Sequence, residues 1–479
     1  MADYHMGFRV NTISNHQLWN MKSTDENAFS VIIGNNGCGK TQLLVDTCVY
    51  YQEMYSRVLA SDSPHIATVV RDVKEQSAEW SLLEERFGHA LPKKLISAST
   101  SQFEKFPLRW KNKKDILQNG FYAYVGSKPY NPVQSPSTRI ASKAIQQLFG
   151  NERFETRKIT ALTKFLQKFD FGSMLRLYFN VAISSEDLIN LQNGEEVKPE
   201  TAIIIRDALE EYEHNEILEL IQYCELLIKE PEFIFYLDND NFQLKHLTKR
   251  KQIGSEYNFD RHIISTLLRT GLIQLENLET IRHNNQHTQY TENLDISNLS
   301  LTGLSKRSSG EQCLFLLFLG IISSIEDNSL ICIDEPEISL HPQWQERFVD
   351  ILQDSFSSYQ GCHFIIATHS PLIVSDISDL NCCVYDMVNK RLIDAQLHKE
   401  RSSDYQLATL FHNPGNNNEY LISEVIEVLD IICKSQDIKD DTINKALWLL
   451  SFEDSLGEGD RVKALLTILR TTLKARIGE

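Results

Sequence analysis

The stretch Ser329-Leu-Ile-Cys-Ile-Asp-Glu-Pro-Glu-Ile-Ser-Leu-His-Pro342 decides how the rest of the chain is interpreted. Its apolar run, Leu330 to Ile333, is typical of a parallel strand that is buried on both faces. Asp334 and Glu335 follow directly, at the carboxyl end where open α/β sheets bind ligands. Because buried carboxylates need a metal or hydrogen-bond donors, the pattern indicates a Walker B strand, with Asp334 toward Mg²⁺ and Glu335 toward an attacking water. A strand that merely ends in an acidic turn has the same pattern.

A glycine-rich segment near the amino terminus supplies the second half of such a site. Gly34-Asn-Asn-Gly-Cys-Gly-Lys-Thr41 follows the apolar run Phe29–Ile33 and precedes an amphipathic helical pattern over 42–51. It matches the phosphate-loop pattern G-x-x-x-x-G-K-[ST], in which backbone N–H groups surround phosphate oxygens at a helix N-terminus. We therefore expect Lys40 to reach the β- and γ-phosphates and Thr41 to ligate Mg²⁺. The loop contributes further nucleotide-binding residues: Asn36, Gly37, Cys38 and Gly39.

A third candidate ligand for Mg²⁺ lies in a polar segment after the strand-like stretch 94–97. Residues 99–107 read Ser-Thr-Ser-Gln-Phe-Glu-Lys-Phe-Pro. A glutamine a few residues beyond a strand can complete a Mg²⁺ shell, so Gln102 is the candidate. An ordinary polar loop has the same composition, and the sequence leaves both interpretations open.

Two later segments place polar groups near the same edge of the expected sheet. Ser308-Ser-Gly-Glu-Gln312 precedes an apolar helical pattern, and its Ser-Gly pair is either an ordinary helix cap or an anion site. Cys362-His-Phe-Ile-Ile-Ala-Thr-His-Ser-Pro371 is a second buried strand, which ends near His369. A histidine in that position can reach the ligand crevice of a neighbouring strand, although strand-end histidines are also often structural.

Composition limits the class of protein. The chain has 479 residues, 42% hydrophobic and 24% charged, as expected for a globular protein of two or three domains. No apolar run has the length of a membrane span and no signal peptide is evident, so we expect a cytosolic protein without a membrane partner. Nine cysteines without a C-x-x-C pair indicate buried free thiols. A net charge of −17 means that any nucleic-acid contact needs a local basic patch.

The segment between the two halves of the site has a helical periodicity, interrupted by one predicted hairpin over 233–244. Helices are predicted over 140–149, 159–169, 202–213 and 215–229. The chain therefore divides into a nucleotide-binding head in two parts, 1–130 and 289–400, a mainly helical insertion over 131–288, and a C-terminal helical region over 401–479.

Three groups of residues in the insertion have compositions that are found at functional sites. The densest basic cluster is either a nucleic-acid contact or a solvated loop: Lys245, His246, Lys249, Arg250 and Lys251. Asp238 and Asp240 are explained by a hairpin turn without any metal. His283 and His287 have a zinc-like spacing, but no third ligand accompanies them.

Four segments in this order resemble an ATP-binding-cassette ATPase of the soluble branch that includes SMC-like and recombination ATPases: 34–41, 308–312, 330–335 and 367–371. The resemblance implies an α/β head with a mixed sheet that binds ATP and Mg²⁺ between two heads. It also implies that Ser309 and Gly310 contact the γ-phosphate held by a partner head, that Glu335 polarises water and that His369 senses the γ-phosphate. Glu311 stands where the usual pattern has Gly, a departure common in the soluble branch.

Within that branch, the chain length, the insertion and the stretch 101–106 are most similar to anti-phage defence ATPases, in particular the PtuA family of Septu systems, which also occurs beside some retrons. This resemblance implies a homo-oligomeric ATPase that controls a separate HNH nuclease and is not itself a nuclease. Nucleic acid or a retron component is a further implied partner. The alternative is a stand-alone SMC-like or recombination-like ATPase of DNA repair.

Overall fold

The computed structural model of the chain describes residues 7–20, 25–60, 91–101, 105–107, 118–126, 136–150, 156–169, 171, 174–199, 201–202, 214–229, 232–237, 242–246, 261–281, 301–375, 377, 381–394, 401–434 and 438–477. Within them the strands are β1 (Thr12–Ile13), β2 (His16–Gln17), β3 (Ala28–Ile33), β4 (Leu95–Ser99), β5 (Tyr122–Val125), β6 (Met174–Val181), β7 (Glu232–Leu237), β8 (Phe242–His246), β9 (Ile273–Ile281), β10 (Leu301–Gly303), β11 (Leu330–Asp334), β12 (His363–Ala367), β13 (Cys382–Asp386) and β14 (Arg391–Asp394).

The helices in the same described ranges connect and flank these strands. They are α1 (Lys40–Ala60), α2 (Gln118–Phe121), α3 (Pro136–Gly150), α4 (Thr156–Lys168), α5 (Ser185–Asn193), α6 (His214–Lys229), α7 (Arg261–Arg269), α8 (Ser309–Ser324), α9 (Pro342–Glu346), α10 (Phe348–Ser355), α11 (Pro371–Ser375), α12 (Ser403–Thr409), α13 (Glu419–Lys434), α14 (Asp440–Leu450) and α15 (Arg461–Ile477). Short 3₁₀ turns occupy Leu304–Lys306 and Glu453–Ser455.

The larger mixed sheet belongs to the head, the two parts of the chain predicted to bind a nucleotide. In the described part of the chain its order is β14-β13-β3-β12-β11-β4-β5, and only the β13–β14 pair is antiparallel. The inner strands β3, β12 and β11 are buried along their whole length, as continuous apolar runs predict. Helix α1 packs against one face of the sheet, and α8 packs against β4 and β5 from the other. The fold class predicted from the sequence is confirmed, because this arrangement is a P-loop ATPase fold.

The parallel register brings the carboxyl ends of neighbouring strands to one level. Asp334 pairs with Ala367 at the end of β12, and Ala367 pairs with Ile32 next to the end of β3. On its other side Asp334 pairs with Ser99, the last residue of β4. The loops that follow these strands therefore lie along one edge of the sheet, where open α/β sheets bind ligands.

Four strands of the insertion, β6 to β9, form an antiparallel sheet with β10, which follows the insertion in sequence. Among the described residues its order is β10-β9-β6-β7-β8. The sequence predicts the β7–β8 hairpin and the helices now labelled α3, α4 and α6, but it predicts neither β6 nor β9. Residues 203–213, most of the helix predicted over 202–213, lie outside the described residues.

Helices α3 and α4 join the insertion to the head through a shared hydrophobic core. Both pack against α8, and α4 also packs against α10. Aromatic rings at this contact stack closely, with the ring centroids of Phe165 on α4 and Phe318 on α8 4.6 Å apart. The insertion is therefore not a separate lobe in this region, because its first two helices complete one side of the nucleotide-binding head.

The carboxyl-terminal helices α13, α14 and α15 enclose a smaller core of their own, which includes Val425, Ala446 and Leu466. Helix α12 packs against α11 on one side and α13 on the other, and so connects this region to the head. The nine cysteines are free thiols, six of them buried. Among the described helices, none is both long and apolar enough to cross a membrane.

Candidate active site

The predicted phosphate loop lies between β3 and α1. Gly39 has φ +100°, a backbone conformation that favours glycine, and its carbonyl accepts the N–H of Leu43 in the first turn of α1. The Lys40 side chain is buried and folds back over the loop, where its Nζ donates to the carbonyl oxygens of Gly34 at 2.6 Å and Asn35 at 3.2 Å. The ammonium group thus lies inside the loop, at the position where the phosphate-loop pattern predicts phosphate oxygens.

Lys40 is joined to Glu335 through His369. Lys40 Nζ lies 2.9 Å from His369 Nδ1, and His369 Nε2 lies 3.3 Å from Glu335 Oε1. Since an ammonium can only donate, Nδ1 is the acceptor and Nε2–H donates to the carboxylate. Burial and the neighbouring Lys40 charge lower the pKa of His369, which is consistent with this neutral imidazole. The structure therefore joins three predicted site residues in one hydrogen-bonded chain: Lys40, predicted to bind phosphate; His369, predicted to sense the γ-phosphate; and Glu335, predicted to polarise water.

Thr41 and Asp334 form the candidate Mg²⁺ ligands. Thr41 Oγ1 donates to Asp334 Oδ1 at 3.0 Å, and Asp334 is only 2% exposed. Burial raises the pKa of Asp334 to about 7, although the Thr41 hydrogen bond and the Lys40 charge act in the opposite direction. Mg²⁺ binds oxygen ligands such as a hydroxyl and a carboxylate, together with nucleotide phosphates. The negative charge of the buried Asp334 is only partly balanced by its neighbours, so Thr41 and Asp334 fit this metal. Within the described residues no cluster of three or more His, Cys, Asp or Glu forms a separate metal site.

Glu335 is held in an unusual backbone conformation. Its φ is +48°, which is uncommon for a residue with a side chain and costs conformational energy. Two hydrogen bonds maintain it: the Glu335 N–H donates to the Ala367 carbonyl at 2.9 Å, and Thr100 Oγ1 donates to the Glu335 carbonyl at 2.9 Å. The turn therefore fixes where the Glu335 carboxylate can point, as a residue that orients a water molecule requires.

Glu337 is a site residue to which the sequence analysis assigns no role. Its Oε1 accepts the backbone N–H of His369 at 2.6 Å, so it ties the segment after β12 to the turn after β11. Burial raises the pKa of Glu337, while the His369 N–H opposes that shift. The signal in the sequence was the second acid of Glu-Pro-Glu, placed two residues beyond Glu335.

The predicted signature segment lies at the start of α8. Ser308 and Glu311 form a reciprocal capping box, so the Glu311 carboxylate stabilises the helix end in this conformation. Ser309 is exposed, whereas Gly310 is buried, and a Cβ at Gly310 would lie 2.2 Å from the carbonyl oxygen of Ser339. Among the described residues, no hydrogen bond joins Ser309 or Gly310 to the Lys40–His369–Glu335 chain.

Arg307, which the sequence analysis also missed, fixes this helix end to the insertion. Its guanidinium hydrogen-bonds Thr280 Oγ1 on β9 and lies over the Phe171 ring, 4.5 Å from the centroid. Arg307 Nη1 also lies 3.4 Å from Glu311 Oε1. The only signal in the sequence was an arginine directly before the Ser-Ser-Gly segment.

Several candidates from the sequence fall outside the described residues. They are Gln102, Asp238, Asp240, Lys249, Arg250, Lys251, His283 and His287. Lys245 and His246 lie on β8, whose side chains are not described. The interpretations of Gln102 as a Mg²⁺ ligand, of the basic cluster, and of the Asp238/Asp240 and His283/His287 pairs therefore stay predictions.

Comparison with known proteins agrees with the fold and the geometry of the site. A family model described as "AAA domain, putative AbiEii toxin, Type IV TA system" matches residues 150–375, a range that includes the signature, the Walker B turn and His369. The retron Vc95 probable ATPase of Vibrio cholerae serotype O1 biovar El Tor is 24% identical over 388 residues, which are 74% of this chain and 68% of the relative.

Two shorter similarities accompany these matches. The retron Ec83 probable ATPase of Escherichia coli is 29% identical over 99 residues, 18% of each protein. Protein ea59 of Escherichia phage lambda is 30% identical over 88 residues, 18% of this chain and 16% of its own length. The chain thus has a P-loop ATPase fold and is similar to an AAA domain over residues 150–375.

Proposed function

We propose that the chain binds and hydrolyses ATP with Mg²⁺. The observation that carries this proposal is the hydrogen-bonded chain Lys40–His369–Glu335, which lies beside the Thr41–Asp334 pair at one edge of the sheet. These five residues come from three separate segments of the sequence, 34–41, 330–335 and 367–371, yet all meet at the carboxyl ends of β3, β11 and β12.

The arrangement supplies the parts that phosphoryl transfer needs. The phosphate loop and Lys40 would hold the β- and γ-phosphates, and Thr41 with Asp334 would hold Mg²⁺, which neutralises phosphate charge when bound. Glu335, fixed by its strained turn, is placed to orient and polarise the attacking water. His369 would detect the γ-phosphate, because the phosphate oxygens compete with its nitrogen for the Lys40 ammonium.

Two substitutions test this proposal separately for binding and for chemistry. Lys40→Ala removes the central cation and should abolish Mg·ATP binding in calorimetry. Glu335→Gln keeps a hydrogen-bonding side chain without its charge, so it should bind ATP, hydrolyse it at least about a hundredfold more slowly and accumulate as a head-to-head dimer. Retained ATP affinity in Lys40→Ala, or parental turnover in Glu335→Gln, would contradict the assignment.

We further propose that this ATPase is the sensor or regulatory subunit of an anti-phage defence complex and controls a separate HNH-type nuclease, as in Septu systems. Two relatives named as retron ATPases, one of them similar over 74% of this chain, support a defence-associated role. The matched family model is itself described with a toxin of a toxin–antitoxin system. Partners of the proposed complex are a second copy of the chain, the nuclease and nucleic acid or a retron component.

DNA cleavage assays distinguish this role from that of a stand-alone repair ATPase. The purified chain should leave plasmid and single-stranded DNA intact with Mg²⁺ or Mn²⁺. Addition of an HNH protein encoded beside it should produce cleavage, or restraint of cleavage, that changes with nucleotide. A neighbouring HNH protein whose activity is indifferent to this chain and to ATP would favour the repair ATPase instead.

A further inference from the structure

The topology of the head determines on which side of the phosphate loop the nucleoside of a bound nucleotide lies. Lys40, Glu335 and His369, which on the proposed function would hold the γ-phosphate, lie on the side of β3 that faces β12 and β11. In an extended triphosphate whose γ-phosphate lies near β12 and β11, the nucleoside is at the opposite end and therefore points away from those strands. The strand on the other side of β3 is β13, and its last residue, Asp386, is level with Ile33 at the start of the loop.

The turn after β13 packs directly on the phosphate loop. The Met387 N–H donates to the Ile33 carbonyl at 2.9 Å, so the pairing of β13 with β3 continues to the first residue of the turn. A Cβ at Gly39 would lie 3.6 Å from Met387 Cε, and one at Gly34 would lie 3.6 Å from Val388 Cγ2. Val388 is nonetheless 47% exposed, an apolar side chain presented to solvent beside the loop.

Asp386 makes this turn rigid. Its Oδ1 accepts the backbone N–H groups of Val388 at 3.0 Å and Asn389 at 3.1 Å, and its Oδ2 accepts Asn389 Nδ2 at 2.7 Å. His412 Nε2 lies 3.4 Å from the same oxygen and 2.8 Å from Asn389 Nδ2. Burial acts to raise the pKa of Asp386, but these hydrogen bonds outweigh it and hold the pKa at about 2. The backbone position of Val388 is therefore held by hydrogen bonds from within the protein.

We propose that the turn 386–390 is the nucleoside subsite, in which Met387 and Val388 form an apolar surface for the base and ribose of a nucleotide bound at the phosphate loop. This inference rests on the proposed ATP-binding function and adds to it the residues that contact the nucleoside. Burial of a base face against exposed methyl groups is favourable because it removes apolar surface from water. The contact distinguishes a nucleotide from a bare polyphosphate.

The test compares two ligands that share the triphosphate but differ in the nucleoside. Isothermal titration calorimetry measures the affinity of the full chain for Mg·ATP and for magnesium tripolyphosphate, in the parent and in Val388→Ser. The variant should lose about tenfold in ATP affinity, as expected for the loss of one or two methyl groups from an apolar contact. Its tripolyphosphate affinity should stay within about twofold of the parent.

Val49→Ser is the matched control, because Val49 is a 36% exposed valine on α1, nine residues beyond Lys40. It should leave both affinities unchanged. Equal losses of affinity for ATP and tripolyphosphate in Val388→Ser would show that the turn only supports the phosphate loop. An unchanged ATP affinity would show that the nucleoside lies elsewhere. Either result overturns the inference and leaves the proposal of ATP binding intact. A parent that binds neither ligand would instead overturn the proposed function, and this inference with it.

Discussion

At the scale of single residues, Lys40 links the parts of the candidate site. Its ammonium donates to two loop carbonyls and to His369 Nδ1, and the other nitrogen of that histidine faces Glu335. A bound phosphate competes for the same ammonium, so nucleotide binding would separate Lys40 from His369. Glu337 holds the backbone N–H of His369 independently of Lys40, and it therefore keeps the histidine in place when the ligand arrives.

Removal of the Glu337 carboxylate should damage turnover more than binding. In Glu337→Ala the His369 N–H loses an acceptor at 2.6 Å. A hydrogen bond to a charged group contributes about 1.5–3 kcal/mol, so we expect kcat to fall about tenfold to a hundredfold while ATP affinity changes little. Steady-state ATPase assays and ATP titrations measure the two quantities.

Glu337→Gln is the control for this experiment, because it keeps an oxygen acceptor of the same size and should retain most of the activity. Thermal unfolding of both variants reports any general loss of stability. Parental kcat in Glu337→Ala, or equal losses of affinity and turnover, would contradict a positioning role for Glu337.

At the scale of elements, the sequence predicts the head well and the insertion poorly, for one physical reason. The strands β3, β11 and β12 are buried on both faces, so each is a short, mainly apolar run in the sequence. No β-bulge interrupts the pairing of these three strands. Strand β9 has a bulge: Tyr178 on β6 pairs with Asn277, but Phe179 pairs with Leu275, which leaves Glu276 as the extra residue. The bulge places Leu275 and Leu278 on one buried face at a spacing of three, which is a helical spacing.

The same limit applies to residues that act through contacts distant in sequence. Arg307 hydrogen-bonds Thr280, and Gly310 packs against Ser339, but neither pairing has a local pattern. The loop around Lys40 was predictable, because its glycines and the start of α1 follow one another directly in the sequence. Supporting residues were not, since they depend on which elements the fold brings together.

Strand β12 also contains a buried histidine that makes the stability of the head depend on pH. His363 is fully buried; its Nδ1 accepts the Val10 N–H at 2.9 Å, and its Nε2 lies 2.9 Å from Ser30 Oγ. Burial, together with the charge of Arg9, lowers the pKa of His363 well below its ordinary value. The unfolded chain thus takes up a proton below about pH 6.5 that the folded chain does not, so folding loses stability as the pH falls.

The free energy of unfolding, measured with urea between pH 7.5 and 5.5, should reveal this contribution. The parent should lose about 1.4 kcal/mol more than His363→Gln for each pH unit below about 6.5. Asp334, whose pKa is raised to about 7, changes stability in the opposite direction, but it is common to both proteins and cancels in the comparison. Identical pH dependence in parent and variant would contradict this role of His363.

At the scale of the whole molecule, the two halves of the expected composite site differ in how far they are exposed to solvent. One half is the predicted phosphate loop and the other is the predicted signature. The phosphate-binding half is assembled and internally hydrogen-bonded, with Lys40 buried. The signature half is open: Ser309 is exposed at the start of α8, whereas the rest of that helix is largely buried against the head and the insertion. An exposed Ser309 on a rigid helix is accessible to a second copy of the chain, as the proposed head-to-head arrangement requires.

Mixed dimers test this arrangement directly. Lys40→Ala disables the phosphate loop of its own head, and Ser309→Arg blocks the signature of its own head, so each homodimer should be inactive. A mixed dimer combines the intact loop of the Ser309→Arg chain with the intact signature of the Lys40→Ala chain, which restores one of two sites. With random exchange at equal concentrations, ATPase activity should recover to about a quarter of the parental value, because half of the dimers are mixed. Absence of recovery, after native mass spectrometry has verified subunit exchange, would mean that each head completes its site without its partner.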